Sequence, residues 1–248
     1  MFLIGDIGNT DLKICLFNKN KKLIKKIKLK SNKVTNISLT KNLNLMLSKK
    51  RKINKAIFCS VVPKIYKKIK YTLKNKFKIR SIELKELNLS KIVDIRVNKK
   101  QIGSDRLSNA LAVIDNKNNY IVVDFGTATT FDVVMKNKYL GGIISPGVNL
   151  SLKTLTSKAS MIPDIKLKSV KKILGKNTLE AVRSGFYWGY SGLIIGVINK
   201  IINKTNKKYK IILTGGLSHL FKKTLPYKIY INRNLTINGL LKVVHLTN

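Results

Sequence analysis

The stretch Asp6-Ile7-Gly8-Asn9-Thr10-Asp11-Leu12-Lys13 closes an apolar run that starts at Phe2 and leads into another from Ile14 to Phe17. A strand ending on an aspartate, a glycine-centred turn rich in Asn and Thr, and a return strand make a loop of the size of a phosphate group. Glycine lets backbone approach a bulky anion, the turn's amides and hydroxyls donate to its oxygens, and the strand-end carboxylate can hold a cation against it. Gly and Asn also favour ordinary hairpin turns, so one such loop decides little. A second decides more. Asp124-Phe125-Gly126-Thr127-Ala128-Thr129-Thr130 repeats the arrangement at mid-chain and re-enters an apolar run from Phe131 to Met135. Two such loops, one in each half, suit a nucleoside triphosphate gripped from both sides.

Acidic residues are scarce: 11 Asp and Glu stand against 50 Lys and Arg, for a net charge of +39. Yet Asp6, Asp11, Asp105, Asp124 and Asp132 all fall in or beside glycine-containing motifs, a placement random drift would not give. Charge on this scale usually points to nucleic acid. Here nearly all of it is Lys, scattered among many Asn and Ile, whereas base and phosphate readers lean on Arg forks with interleaved aromatics. The composition reads as that of an AT-rich genome, and no specific nucleic-acid partner is expected; a positive field would still steer anionic substrates. No uncharged apolar run reaches the roughly 18 residues of a membrane span, and Met1 leads straight into the first motif, so a soluble, cytoplasmic chain without a signal peptide is expected. Cys15 and Cys59 sit in apolar runs without metal-ligand spacing, which places them in the core. With only His219 and His245 present, histidine-based metal or triad chemistry is not expected.

At 248 residues and 44% hydrophobic content, the chain has room for two modest cores. Periodicity predicts strands at Phe2 to Ile7, Lys13 to Phe17 and Leu23 to Leu29, a helix from Ile37 to Ser48, a strand from Ala56 to Val61, a helix opened by Pro63, and a strand from Ile79 to Glu83. The second half repeats the order: a helix from Arg106 to Ile114, strands from Ile121, Thr130 and Lys138, a helix opened by Pro146, a long helix from Thr178 to Ile202, a strand from Ile211 to Thr214, a short helix, a strand from Lys228 to Ile231 and a closing helix. Such an order is an internal duplication in an α/β fold with mixed sheets flanked by helices. The polar segment Leu87 to Gln101 reads as the linker, giving domains at 1–102 and 103–248, and the stretch from Ala159 to Lys176 reads as a mobile loop.

Two helix starts carry candidate site residues. Ser104 reads as an N-cap with Asp105 behind it, where the helix dipole favours a carboxylate. Asn177-Thr178-Leu179-Glu180 reads as a capping box opening the long helix, which carries Gly185, Gly189, Gly192 and Gly196 among four aromatics. Glycines weaken a helix, so close packing against another helix, within the chain or from a second copy, is expected to compensate.

Both turns, Gly103-Ser104-Asp105-Arg106, Ser60-Val61-Val62-Pro63, Gly141-Gly142-Ile143-Ile144-Ser145-Pro146-Gly147 and Thr214-Gly215-Gly216-Leu217 together make the chain resemble the type III pantothenate kinase family. Asp124-Phe125-Gly126-Thr127-Ala128-Thr129-Thr130-Phe131-Asp132 matches that family at every position. The resemblance implies two duplicated ribonuclease-H-like domains of the actin, sugar kinase and heat-shock ATPase superfamily with ATP between them. It implies phosphorylation of pantothenate, the first step of coenzyme A synthesis, by a homodimer that uses Mg²⁺ and a monovalent cation, K⁺ or NH₄⁺. By carry-over, Asp6, Ile7, Gly8, Asn9, Thr10, Asp11, Leu12 and Lys13 form the first ATP-binding loop, with Asp6 holding Mg²⁺ through water and Lys13 neutralising phosphate. Asp124 binds the monovalent cation, Thr127 touches the ATP phosphates, and Gly215 and Gly216 give the adenosine room. Gly103, Ser104, Asp105 and Arg106 bind pantothenate, with Asp105 as general base and Arg106 a cation able to fork a carboxylate; Thr178 reaches pantothenate from the partner subunit.

Three positions depart from the family. Arg96 stands seven residues before Gly103, where an aromatic is usual, and Asn98-Lys99 replaces the usual Asn-Pro; Ser104 replaces the usual small Ala. Other readings are a DNA-binding transcription accessory factor of the same fold, which would have no reason to keep Asp6, Asp105, Asp124 and Thr127, and a superfamily kinase or phosphatase acting on a sugar or polyphosphate, against which stands the Asp124 to Asp132 match.

Overall fold

A computed structural model describes residues 1–47 and 52–245, and the chain divides into two compact units, 1–114 with 235–248 and 115–234. The first unit is built on strands β1 (Phe2–Ile7), β2 (Asp11–Phe17), β3 (Leu23–Lys30), β4 (Lys55–Ser60) and β5 (Ser81–Glu83), in the order β3-β2-β1-β4-β5. The β1-β2 and β2-β3 pairs are antiparallel, and β4 and β5 extend the sheet in parallel. Every residue of β1 is buried, which is why it reads as an unbroken apolar run. Gly5 belongs to that run because a Cβ there would stand 2.1 Å from the Phe58 ring. Edge strand β3 alternates Lys with apolar residues and stays largely exposed, as an unpaired edge requires.

Helices α1 (Asn36–Leu47) and α2 (Pro63–Phe77) pack together over this sheet. Ser48, the predicted end of α1, lies outside the described residues. Pro63 takes the first helical position of α2, and Lys78 closes the helix in the left-handed conformation at φ 56°. Leu3, Leu12, Ile14, Leu39, Phe58, Ile69 and Leu73 form the heart of the core. The segment from 87 to 101 is not a bare linker: it holds the short strand β6 (Asp94–Ile95), and Leu89 and Val93 are buried.

Helix α3 (Ser104–Val113) belongs to the first unit because of its partner, the closing helix α7 (Leu235–Val243). A Cβ at Gly239 would stand 1.9 Å from the Ser108 carbonyl oxygen, so the two helices cross at backbone contact. Ser108 Oγ donates to the Thr236 carbonyl at 2.7 Å, and Thr236 Oγ1 donates to Asn109 Oδ1 at 2.9 Å. Satisfied in this way, Ser108 and Asn109 can be fully buried. The unit boundary therefore falls at 114 and 235, whereas the sequence reading set a single one at 102, before the helix that α7 holds in place.

The second unit repeats the first. Its strands β7 (Asn119–Phe125), β8 (Ala128–Met135), β9 (Lys138–Pro146), β10 (Lys210–Gly215) and β11 (Ile229–Ile231) lie in the order β9-β8-β7-β10-β11. Again two antiparallel pairs are followed by two parallel ones. Helix α4 (Val148–Lys158) starts at Val148 with Gly147 as N-cap, so Pro146 ends β9 and does not open the helix as its sequence position predicts. A Cβ at Gly147 would lie 2.1 Å from the Thr127 carbonyl oxygen, and the chain must clear that contact before it can coil. Helix α5 (Thr178–Thr205) buries Ser184, Tyr187, Ser191, Ile194, Ile198 and Ile201, alternately three and four residues apart, against the sheet. Its four glycines lie on exposed positions, and a Cβ at any of them would meet nothing within 4 Å. A short helix α6 (Ser218–Phe221) completes the unit. The fold is α/β with two mixed sheets flanked by helices.

Candidate active site

Strand register assembles the first unit's site. Asp6, one residue from the end of β1, pairs with Lys13 on β2 and with Cys59 on β4. Cross-strand neighbours share a face, and both reach the carboxylate: Lys13 Nζ donates to Oδ2 at 3.3 Å, and the Cys59 thiol donates to Oδ1 at 3.6 Å. Cys59 is wholly buried, and its thiol is pushed well above the ordinary range by burial, with the charges of Asp6, Asp105 and Glu83 adding. It is an inert donor, in keeping with its expected place in the core.

Beyond Asp6 the chain turns at Gly8-Asn9-Thr10. The Gly8 N–H donates to the Asp11 carbonyl at 3.0 Å, Ser31 Oγ donates to the Gly8 carbonyl at 2.6 Å, and the Ser31 N–H donates to the Thr10 carbonyl at 2.9 Å. Asn9 and Thr10 are exposed, whereas the side chains of Ile7 and Leu12 are buried in the core and leave only backbone for a ligand. Asp11 carries two lysines, Lys30 at 2.9 Å and Lys28 at 3.1 Å. Desolvation would raise its pKa, but the hydrogen bonds and charges of Lys30 and Lys28 outweigh it and hold the carboxyl below its usual range. Ser31, Lys28 and Lys30 are brace residues that sequence reading missed, since their partners lie across the sheet.

Asp105 sits in the first turn of α3. Gly103 is the N-cap and Ser104 the first helical residue, so Ser104 does not cap the helix as expected; its hydroxyl donates to Glu83 Oε1. Asp105 Oδ1 accepts the Arg106 N–H at 2.8 Å, and its carboxylate folds back over Gly103, where a Cβ would be 2.6 Å away. Burial pushes the Asp105 carboxyl up, Asp6's charge adds to this, and the Arg106 amide and guanidinium oppose it. A largely buried carboxylate with a raised pKa, in electrostatic reach of a second carboxylate, has the chemistry to accept a proton. Arg96 pairs with Asp94 at 2.6 Å on a half-exposed edge.

On the second unit, Asp124 is half-buried near the end of β7, between Thr130 on β8 and Thr214 on β10. The Gly126 N–H donates to the Ala128 carbonyl at 3.0 Å, closing a turn like that at Gly8, and Thr127 is exposed on it. Gly215 adopts φ +84°, and a Cβ there would lie 2.5 Å from the Phe125 carbonyl oxygen and 2.7 Å from Asp124 Oδ1. Thr178 is exposed at the first position of α5. Capping falls to its neighbours: Asn177 Oδ1 accepts the Glu180 N–H at 3.0 Å, and Glu180 Oε2 accepts the Lys176 N–H at 2.9 Å.

Among the described residues no group of three or more His, Cys, Asp or Glu converges as a metal cage. Isolated carboxylates beside phosphate-sized turns fit a hard cation that keeps most of its water and takes the rest of its oxygens from a phosphate. No described helix is long and apolar enough to cross a membrane.

A family model for type III pantothenate kinase matches residues 2–200. A type III pantothenate kinase from Pelagibacter ubique (strain HTCC1062) is 52% identical over 246 residues, which cover 99% of this chain and 99% of that protein. Another, from Sulfurihydrogenibium sp. (strain YO3AOP1), is 36% identical over 248 residues, covering 92% of this chain and 97% of the relative. Among solved structures, component A of the (R)-2-hydroxyglutaryl-CoA dehydratase of Acidaminococcus fermentans superposes with a TM-score of 0.57 at 11% identity, over 99% of this chain and 96% of that one. That last likeness concerns fold alone.

Proposed function

The chain belongs to the type III pantothenate kinase family, and from that premise we propose that it transfers the γ-phosphate of ATP to the primary hydroxyl of pantothenate, opening coenzyme A synthesis. The observation that carries the mechanism is Asp105, a largely buried carboxylate with a raised pKa, next to the N-cap Gly103 and the cation of Arg106. Phosphoryl transfer asks a protein for positioning, charge neutralisation and a receiver for the acceptor's proton. Asp105 takes that proton as the pantothenate oxygen bonds to the γ-phosphorus and the bond to the bridging oxygen breaks, releasing ADP. A carboxyl raised toward working pH accepts a proton better than an ordinary one.

The exposed turn at Gly8, Asn9 and Thr10 receives the phosphates, with Lys13 countering their charge. Asp6 would hold Mg²⁺ through water, and the ion would supply neutralisation of the phosphate charge. Asp124 would hold the monovalent cation, K⁺ or NH₄⁺, and Thr127 would donate to the ATP phosphates. Gly103, Ser104, Asp105 and Arg106 form the pantothenate site. The site is completed by Thr178 of the partner subunit in a homodimer, supported by the exposure of Thr178 and by the bare glycine strip on α5. Purified protein should form phosphopantothenate only with Mg²⁺, and faster with K⁺ than with Na⁺. Folded protein that binds ATP and yields no phosphopantothenate with any of these cations would contradict the proposal.

A further inference from the structure

The catalytic motif at Gly103 to Arg106 is held from outside by two residues of one short turn. Glu83 ends β5, and its carboxylate is fully engaged: Oε1 accepts the Ser104 hydroxyl and, at 3.4 Å, the Ser60 N–H, while Oε2 accepts the Lys85 N–H at 2.6 Å. Two residues on, Lys85 Nζ donates to the Lys100 and Ile102 carbonyls, each at 3.0 Å. One turn therefore grips the chain immediately before Gly103 by backbone and immediately after it by side chain. Ser104 is 2% exposed, so its hydroxyl has no solvent to fall back on if Glu83 is lost. The same residues border a cleft of about 380 Å³ whose wall includes Ser60, Glu83, Lys85, Gly103 and Ser104. A shift of the first turn of α3 would move both that wall and the Asp105 carboxylate.

We infer that Glu83 and Lys85 are positioning residues that act through Ser104 and through the Lys100 to Ile102 backbone to fix Asp105 and Arg106 in register for the reaction. The inference rests on the proposed kinase activity. Neither residue touches the reacting atoms: Glu83 has both oxygens committed, and Lys85 spends its ammonium on carbonyls. A hydroxyl donating to a carboxylate is a charge-assisted bond, stronger than a neutral one and directional enough to set a helix start. Across the clamp Glu83 lies 21 residues from Ser104, and Lys85 lies 15 and 17 residues from Lys100 and Ile102, so no local pattern announces them.

The test combines turnover with hydrogen exchange in the full-length protein. Ser104→Ala removes one bond with little change in volume, and Lys85→Met removes the other half of the clamp, so the inference does not depend on a single variant folding. Each should lower kcat about tenfold, the scale of a sub-ångström misplacement, with KM for ATP within about twofold of wild type. Amides of residues 103–107 should exchange about tenfold faster in Ser104→Ala, with α2 unchanged. The double variant Ser104→Ala/Glu83→Gln should be no slower than the worse single, because both break one interaction. Two outcomes overturn the inference: both single variants within about twofold of wild-type kcat, or faster exchange at 103–107 with turnover intact. A wild-type protein that forms no phosphopantothenate would sink the kinase reading instead, and the exchange measurement would then show separately whether the clamp holds α3.

Discussion

Around the turn at Gly8, the neighbours are charges and hydroxyls: Lys13 on Asp6, Lys28 and Lys30 on Asp11, and Ser31 against two carbonyls. Around the turn at Gly126, backbone presses close: Gly147 under the Thr127 carbonyl, and Gly215 at φ +84° under Phe125. The two units share a strand order, yet they fix the same turn by different means. At Gly8 an added Cβ would come no closer than 3.3 Å, to the Asp11 carbonyl oxygen, a contact a small shift can absorb. At Gly147 or Gly215 it would enter a carbonyl at 2.1 or 2.5 Å. The first turn should thus respond to charge, pH and salt, and the second to any side chain at its supporting glycines.

The largest effect that bears on this contrast belongs to the first unit's chemistry. Asp105→Asn keeps the shape and the acceptor for the Arg106 amide while removing the base, so kcat should fall about 10²- to 10⁴-fold with ATP affinity little changed. Stability should move the other way. A carboxyl whose folded pKa lies above its unfolded value, near 3.9, contributes stability at low pH that is lost as pH rises through the folded pKa. Removing its charge should therefore raise the thermal midpoint at pH 7, whereas a mere capping role for Asp105 would lower it. Differential scanning calorimetry beside steady-state kinetics separates the two.

A second test asks whether the units of two copies complete one another. Thr178→Arg and Asp105→Asn proteins, each nearly inactive alone, should regain about a quarter of wild-type sites when equal amounts exchange subunits at random in a two-fold dimer. Verified heterodimers without activity would place the whole site on one chain. Third, Gly215→Ala should cost about 2 kcal/mol or more, from left-handed strain of 1–2 kcal/mol plus the clash with Phe125, while Gly8→Ala should cost less than about 1 kcal/mol. Urea denaturation of the pair checks this, and equal losses would erase the contrast between the turns. The smallest effect is at Asp11. Its depressed pKa contributes stability that is present above about pH 4 and fades as pH falls through the folded value. Since Lys28 and Lys30 are 56% and 57% exposed, the contribution should stay below about 1 kcal/mol and shrink in high salt. Asp11→Asn should flatten the acid limb of a stability profile by that amount.

Local signals carried most of the fold into the sequence. The strands flanking both turns, Pro63 at the start of α2 and the Asn177 to Glu180 capping box are set by neighbours a few residues away, and each was legible. Long-range contacts were not. Nothing near Gly239 announces that α7 must lie against Ser108 at backbone distance, so the closing helix could not be assigned to the first unit. Pro146 looked like a helix start because proline favours that position, but the contact between Gly147 and Thr127 delays the helix to Val148. Ser104 looked like a cap because the residue type suits one; Glu83, brought in by sheet pairing, takes its hydroxyl instead. In the site, motifs exposed Asp6, Asp105 and Asp124, while the contacts that brace the motifs, Cys59 on Asp6, Ser31 on the Gly8 turn and Glu83 on Ser104, came into view only with strand register.

The central claim is tested most directly by following the γ-phosphate itself. ATP labelled at the γ-position, incubated with pantothenate, Mg²⁺ and K⁺, should pass its label to phosphopantothenate with the wild-type protein and at least 100-fold more slowly with Asp105→Asn, a factor set by loss of the base. Label released only as inorganic phosphate, or transferred equally fast by the Asn variant, would contradict it.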